Sequence, residues 1–318
     1  MPKSISVVIP THNRRAHLLL AIESALRQTR EPLEVIIVAD GCTDDSAAAT
    51  RALDDERIVV LDLPKAPGLG WANRNEALRR ARGDAIAYLS DDDLWLPDHL
   101  QRVGELVDAD VADVVQANAC VVHPEGRLEL SGTDWRVPEY RRRFLSGDEI
   151  RTPSSAISHV RGAAEAAGGW RTVERLGDYD LWARMLESGA RTVATMEPTV
   201  LFFGARRGVP DERERQARDY MAKLRDPLEL ARLRTEISRV GLQFEADTRH
   251  ELYDRNDQHA ALHERFGAAL AELERLRECE ATLTSIENGG WWRLRQRLEP
   301  LRRVADAARL TPAGRRRG

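Results

Sequence analysis

Cysteine is scarce: three residues in 318, Cys42, Cys120 and Cys279, widely spaced and odd in number. That spacing builds neither a disulfide framework nor a thiolate metal site, and it points to a reducing compartment. Aromatic residues make up only 5% of the chain. No apolar run approaches the roughly 18 residues needed to span a bilayer. The net charge of -4 exerts no global pull on nucleic acid. Met1-Pro2-Lys3 leads directly into a strand-like run, without the layout of a secretion signal. The expectation is a cytoplasmic protein that binds no nucleic acid. No Gly-x-Ser-x-Gly elbow is present, which excludes the usual serine-hydrolase layout. His259 and His263 stand four apart but lack the glutamate and third ligand of a zinc site.

What the chain does contain is alternation. Ser6–Pro10, Leu33–Val38, Ile58–Leu61 and Ile86–Leu89 read as strands. Helical patterns over Leu18–Gln28, Asp44–Leu53, Trp71–Arg82 and Pro97–Asp108 fall between and after them. The second strand is almost continuously apolar, as strands covered on both faces are. Strand-helix alternation implies a parallel sheet with right-handed crossovers, and ligands bind beyond the carboxyl ends of its strands. From about residue 115 to 205 the pattern is mixed, with strands expected over Val114–Val122, Arg191–Thr195 and Thr199–Phe203 and helices over Arg161–Ala167 and Tyr179–Ser188. Residues 130–175 carry no recognisable code. Gly132–Trp135 and Arg141–Arg143 fit either an acceptor-facing loop or a solvated turn and charge run.

Three organisational units follow: 1–208 as the α/β domain, 209–288 as a charged helical extension, and 289–318 as a basic tail. Leu262, Ala269, Leu276 and Leu283 recur every seven positions, which suggests a helical hairpin or coiled coil that could mediate self-association. The tail mixes Trp291 and Trp292 with Arg293, Arg295 and Arg297. Such a segment can lie at the inner, anionic membrane face or dock its tryptophans on the protein. Both readings stand.

The chemistry concentrates at Ser90-Asp91-Asp92-Asp93, where three acids end an apolar strand. Neighbouring carboxylates repel one another unless something positive is present. Carboxylate oxygens suit a hard cation such as magnesium or manganese, with Asp91 and Asp93 as the metal ligands. A solvated acidic turn, or a cap for the helix near Pro97, is the alternative. Asp40 also follows a strand, so it is expected in the same crevice.

Taken in order, several segments resemble the inverting family 2 glycosyltransferases. They are Ser6–Arg14, Ser24–Thr29, Glu34–Asp44, Ala72–Asn75, Ser90–Asp93, Gly168–Trp170 and Gly177–Arg184. The resemblance covers roughly residues 4–205. It implies an α/β fold of the GT-A (Rossmann-like) type, with a mostly parallel sheet flanked by helices, here followed by a C-terminal helical extension. It also implies a nucleotide-diphospho-sugar donor with UDP as the expected nucleotide, a divalent cation (Mn2+ or Mg2+), and a glycan or lipid-linked hydroxyl acceptor. Carried onto this chain, Pro10, Thr11, Asn13, Asp40, Arg74, Asp91 and Asp92 would hold the donor nucleotide. Asp178 would be the catalytic base, because an inverting transfer needs a carboxylate to take the acceptor proton. Asp180, on the acceptor side, is the fallback base, and Trp182 packs as core or lines the acceptor side.

Three positions depart from the family. Ala39 and Gly177 stand where an acid is usual. After Phe203 the chain has Gly204-Ala205-Arg206-Arg207 in place of a histidine, so Arg206 and Arg207 are candidates to neutralise the diphosphate directly. Two other classes compete with the transferase. A sugar-nucleotidyltransferase would place a glycine-rich basic loop after the first strand, where Pro10-Thr11-His12-Asn13-Arg14 stands instead. A non-catalytic nucleotide-sugar binder or scaffold would have no need of an acid at position 178.

Overall fold

The computed structural model describes residues 2–148, 152–203 and 210–252. Four strands form the parallel half of the sheet: β1 (Ile5–Thr11), β2 (Glu34–Asp40), β3 (Ile58–Leu63) and β4 (Ala85–Tyr88). The second half adds β5 (Leu94–Trp95), β6 (Val114–Val122), β7 (Leu128–Ser131), β8 (Ile157–Val160) and β9 (Thr192–Phe202). The sheet order is β3-β2-β1-β4-β8-β6-β9-β5, and β7 pairs with β6. Strand β8 runs antiparallel to both β4 and β6, so it reverses direction between two parallel blocks.

Period-two alternation assigns the core. Val7, Ile9, Val35, Ile37, Ala85 and Ala87 face helices α1 (Arg15–Leu26) and α4 (His99–Asp108). Val8, Ile36, Val38, Ile86 and Tyr88 face the other way. There they meet α3 (Trp71–Arg80), α5 (Pro138–Ser146), α6 (Arg161–Ala166) and α7 (Gly177–Glu187). Short α2 (Ser46–Arg51) packs beside α1 and β3. Every residue of β2 is buried, which explains its unbroken apolar pattern.

The described part of the charged extension docks on this sheet. Helix α8 (Pro210–Arg225) buries Ala217, Tyr220, Met221 and Leu224 against Leu94, Cys120 and Leu201. Helix α9 (Pro227–Leu252) adds Leu233 and Ile237. Asp226 joins the two helices: its Oδ1 accepts from the amides of Leu228 and Glu229, and Pro227 sits where no amide is required. The heptad at 262–283 and the basic tail lie outside the described residues.

Two expectations for the second half change. The two strands expected over 191–195 and 199–203 form one, β9, with a register shift where Asn118 meets Pro198. Of the segments expected as a loop or a solvated turn and charge run, Arg141–Arg143 lie in α5, and Trp135 is buried on Phe144 with ring centroids 4.6 Å apart.

Candidate active site

The carboxyl ends of β1, β2 and β4 open onto one crevice. Thr11 ends β1, and its Oγ1 donates to Asp91 Oδ2 at 2.8 Å. Arg14 Nη1 donates to Asp91 Oδ1 at 3.0 Å and to Asp92 Oδ2 at 2.9 Å. A guanidinium thus already sits between two of the three acids. Arg213 of α8 approaches the same Asp92 oxygen at 3.9 Å. Burial pushes the Asp91 carboxyl up to about 6, the Asp92 charge adds to this, and Arg14 opposes it.

The three acids differ in where they point. Asp93 is 1% exposed. Its Oδ2 accepts from Ser155 Oγ and its Oδ1 from the Phe203 amide at 3.2 Å, and burial raises its pKa well above the ordinary range. Ser155 Oγ also accepts from the Ser90 amide, which locks the acidic turn to the segment before β8. Asp92 is the most open of the three, with its side chain 22% exposed. Sequence reasoning paired Asp93 with Asp91 as metal ligands; in the fold, Asp93 braces the turn from inside while Asp92 faces the crevice.

Asp40 ends β2, and its carboxylate is fully engaged. Lys65 pairs with Oδ2, and Oδ1 accepts from the Ala66 amide at 2.8 Å and from Asn73 Nδ2 at 2.7 Å. Gly70, at φ +75°, lets the chain pass over this carboxylate; a Cβ there would lie 2.3 Å from Asp40 Oδ2. A nucleobase donor would have to share or displace these partners. Asn13, at φ +54°, is occupied too. Its Oδ1 accepts from the amides of Thr43 and Asp44, fastening the turn after β1 to the turn after β2. Pro10 contributes backbone within β1.

Opposite the acids stands Arg74, in the second turn of α3. Its guanidinium lies 4.2 Å from the centroid of Trp71 and 5.2 Å from that of Trp170, which are themselves stacked 5.6 Å apart. Nη1 donates to the Leu69 carbonyl at 3.0 Å. Burial pulls its pKa down to about 10, against the opposing fields of Asp178, Asp40 and Asp91. Three predicted acids from separate parts of the chain thus act electrostatically on one cation.

Asp178 sits in the first turn of α7, where a carboxylate is favoured by the helix dipole. Oδ2 accepts from Ser154 Oγ at 2.9 Å and Oδ1 from the Tyr179 amide at 2.9 Å. Asp180 points away into an ion pair with Arg184 at 2.6 Å, and Arg184 also holds the Gly169 carbonyl. Trp182 is 1% exposed and packs on Tyr88 and Trp170, as core. Arg206 and Arg207 lie outside the described residues.

Sequence reasoning passed over Arg14, Arg213, Ser154 and Ser155 as site residues. Arg14 closes the Ser6–Arg14 segment, and its position three residues past the end of β1 is the signal that marks it. Nothing local marks Arg213, which lies 121 positions beyond Asp92 in the chain.

Among the described residues no cluster of three or more His, Cys, Asp or Glu is arranged to hold a metal ion. The donor set fits a more limited role. Asp92 and Asp91 present hard oxygen, and a cation there would need a ligand's phosphate oxygens to complete its shell.

Residues 6–163 match the model of glycosyl transferase family 2. This segment belongs to that family. Succinoglycan biosynthesis protein ExoO of Rhizobium meliloti is 37% identical over 123 residues, covering 39% of this chain and 35% of ExoO. Uncharacterized glycosyltransferase YwdF of Bacillus subtilis is 38% identical over 141 residues, covering 44% of this chain and 49% of YwdF. The chain therefore spans about half or less of these two curated relatives. The crystal structure of S. aureus TarS 1-349 in complex with UDP-GlcNAc superposes with a TM-score of 0.52 at 17% identity, covering 95% of this chain and 92% of that one. The likeness extends the GT-A fold across the described chain, well past the segment that the family match covers.

Proposed function

We propose that the chain moves a sugar from a nucleotide-diphospho-sugar to a hydroxyl acceptor by a single inverting displacement. The observation that carries this reading is that the adjacent Ser154 and Ser155 bind Asp178 and Asp93, which sets a carboxylate at the start of α7 beside the acidic turn after β4. Arg74, half-buried over Trp71 and Trp170, offers a planar cation suited to a diphosphate.

In this account Asp178 is the base. Its carboxylate takes the acceptor proton as the acceptor oxygen attacks the anomeric carbon, and the bond from that carbon to the diphosphate breaks. The nucleoside diphosphate leaves with the bonding electrons. Ser154 and the Tyr179 amide hold the Asp178 carboxylate while it waits for the proton. Arg74 and Arg14 offset the charge that develops on the leaving group. A divalent cation, held by Asp92 and Asp91 jointly with the donor, would supply further charge neutralisation there. Asp40, Thr11 and the backbone at Pro10 border the nucleoside side, and Lys65 is the group a base or ribose would have to move.

The name of ExoO, a succinoglycan biosynthesis protein, supports a growing glycan as acceptor, on a lipid carrier or free. No helix among the described residues is long and apolar enough to cross a membrane, so any membrane contact made by the described part is peripheral. The test is thermal unfolding with UDP, GDP, dTDP and CDP, each with and without manganese. Ligand at a hundred times its dissociation constant adds about 2.7 kcal/mol, a rise of several degrees at this size. A shift with one nucleotide class supports a donor site. No shift with any of the four would favour the non-catalytic scaffold.

A further inference from the structure

Helix α8 brings an arginine to the acidic turn from outside the family-matched segment. Its buried stripe is Ala217, Tyr220, Met221 and Leu224. Arg213 lies four residues before Ala217 and eight before Met221, so helical spacing puts it on that same inward face. Its side chain is 25% exposed, and Nη1 stands 3.9 Å from Asp92 Oδ2. That oxygen already accepts from Arg14 at 2.9 Å. The Arg213 contact is too long for a hydrogen bond. Among the described residues Asp92 is the ion-pair partner that Arg213 has, so its guanidinium keeps donors to spare.

The helix that presents Arg213 is pinned along its length. Arg225, at the other end, forms a two-pronged pair with Glu23 of α1, with Nε at 2.7 Å. Tyr220 packs edge-on against Phe203, whose amide holds Asp93. The neighbouring charges of α8 turn elsewhere: Glu214 pairs with Arg218, and Glu212 lies 3.8 Å from Arg215. Arg213 is thus fixed by packing and directed at an oxygen that a second guanidinium has already claimed. Two guanidiniums thus converge beside the Asp91 and Asp92 carboxylates. They match the two or more negative charges of a diphosphate, whose oxygens accept several N–H donors at once.

We infer that Arg213 contacts the diphosphate of the donor together with Arg14, so that α8 completes the donor site. In the free protein both guanidiniums rest on Asp92; when a diphosphate arrives they turn to its oxygens. The inference rests on the donor reading above and adds a residue to it from a helix beyond the family segment.

The experiment is titration calorimetry of UDP and UMP, or of the diphosphate and monophosphate of whichever nucleoside binds, against the full chain and its Arg213→Gln and Arg213→Lys variants. The expected result is that the preference for diphosphate over monophosphate falls about tenfold in Arg213→Gln and less in Arg213→Lys. Comparing the two nucleotides in each variant cancels any general loss of active protein. Arg213→Lys keeps the charge on the stripe and reports even if Arg213→Gln unfolds. A preference unchanged in both variants overturns the role of Arg213 alone. Failure of the unaltered chain to bind any nucleoside diphosphate overturns the donor reading, and this inference with it.

Discussion

Ser154 Oγ donates a 2.9 Å hydrogen bond to Asp178 Oδ2, tying the turn before β8 to the first turn of α7. The next residue, Ser155, binds Asp93 and the Ser90 amide. Two adjacent serines therefore set the distance between Asp178 and the acidic turn. Ser154→Ala is expected to lower kcat about tenfold with little change in donor KM. A hydrogen bond to a charged group contributes about 1.5–3 kcal/mol, and here it orients rather than binds. Steady-state kinetics of the variant checks this.

Arg74 is held by aromatic faces rather than by a carboxylate partner. Arg74→Lys keeps the charge but loses the planar stack on Trp71 and the fixed fork of donors. The expected outcome is nucleoside diphosphate binding weaker by tenfold or more, read by calorimetry, with an unfolding temperature near that of the parent. Equal affinity would show that Arg74 serves the aromatic cluster and not the ligand.

Asp92 and Asp93 should separate cleanly. Asp93 accepts from two buried donors, and leaving a buried donor unsatisfied costs about 1–3 kcal/mol. Asp93→Ala is therefore expected to lower the unfolding temperature by several degrees. Asp92→Asn should leave that temperature nearly unchanged while removing any manganese dependence of nucleotide binding. The reverse pattern would restore Asp93 as the ligand.

Acid should weaken the fold through two neutral, buried histidines. His99 stacks on Trp95 with centroids 4.2 Å apart and is pulled down to about 3 by burial. His159 is pulled down to about 4 by burial, with its Nδ1 proton donated to the Val160 carbonyl and its Nε2 accepting from Tyr88. Both values lie below that of a free imidazole, about 6.5. Between pH 6.5 and about 4 the unfolded chain binds more protons, so stability falls as pH falls. Each imidazole costs about 2 kcal/mol between pH 6.5 and 5. Asp91, raised to about 6, and Asp93, raised well above the ordinary carboxylate range, act in the opposite direction as pH falls and offset this loss. His99→Gln should lose about 2 kcal/mol less than the parent between pH 7 and 5, measured by denaturant unfolding. Equal losses would rule out His99 as a source.

The parallel half of the fold was legible because its strands are short and largely apolar and alternate with helical segments. Val7, Val8 and Ile9 alternate between two cores, yet all three are hydrophobic. The rule for carboxyl ends predicts Asp40 and Asp91 at the ends of β2 and β4, and the chain has them there. The second half was less legible for physical reasons. Strand β8 is four residues long and β5 is two, too short to show a period. Trp135 looked like part of an open loop because its partner, Phe144, lies on a helix whose pattern is dominated by Arg141, Arg142 and Arg143. The orientation of three consecutive acids depends on tertiary partners such as Ser155 and Phe203, which no local spacing announces.

The central claim is that Asp178 activates an acceptor toward a nucleotide-bound sugar. Its most direct test uses water as the acceptor. The full chain is incubated with UDP-, GDP-, dTDP- and CDP-sugars and manganese, and released nucleoside diphosphate is followed for the parent and for Asp178→Asn. The account predicts slow release from one nucleotide class, reduced at least a hundredfold in Asp178→Asn, while nucleotide binding persists. Release that is unaffected by Asp178→Asn, or binding without release from any sugar, would contradict it.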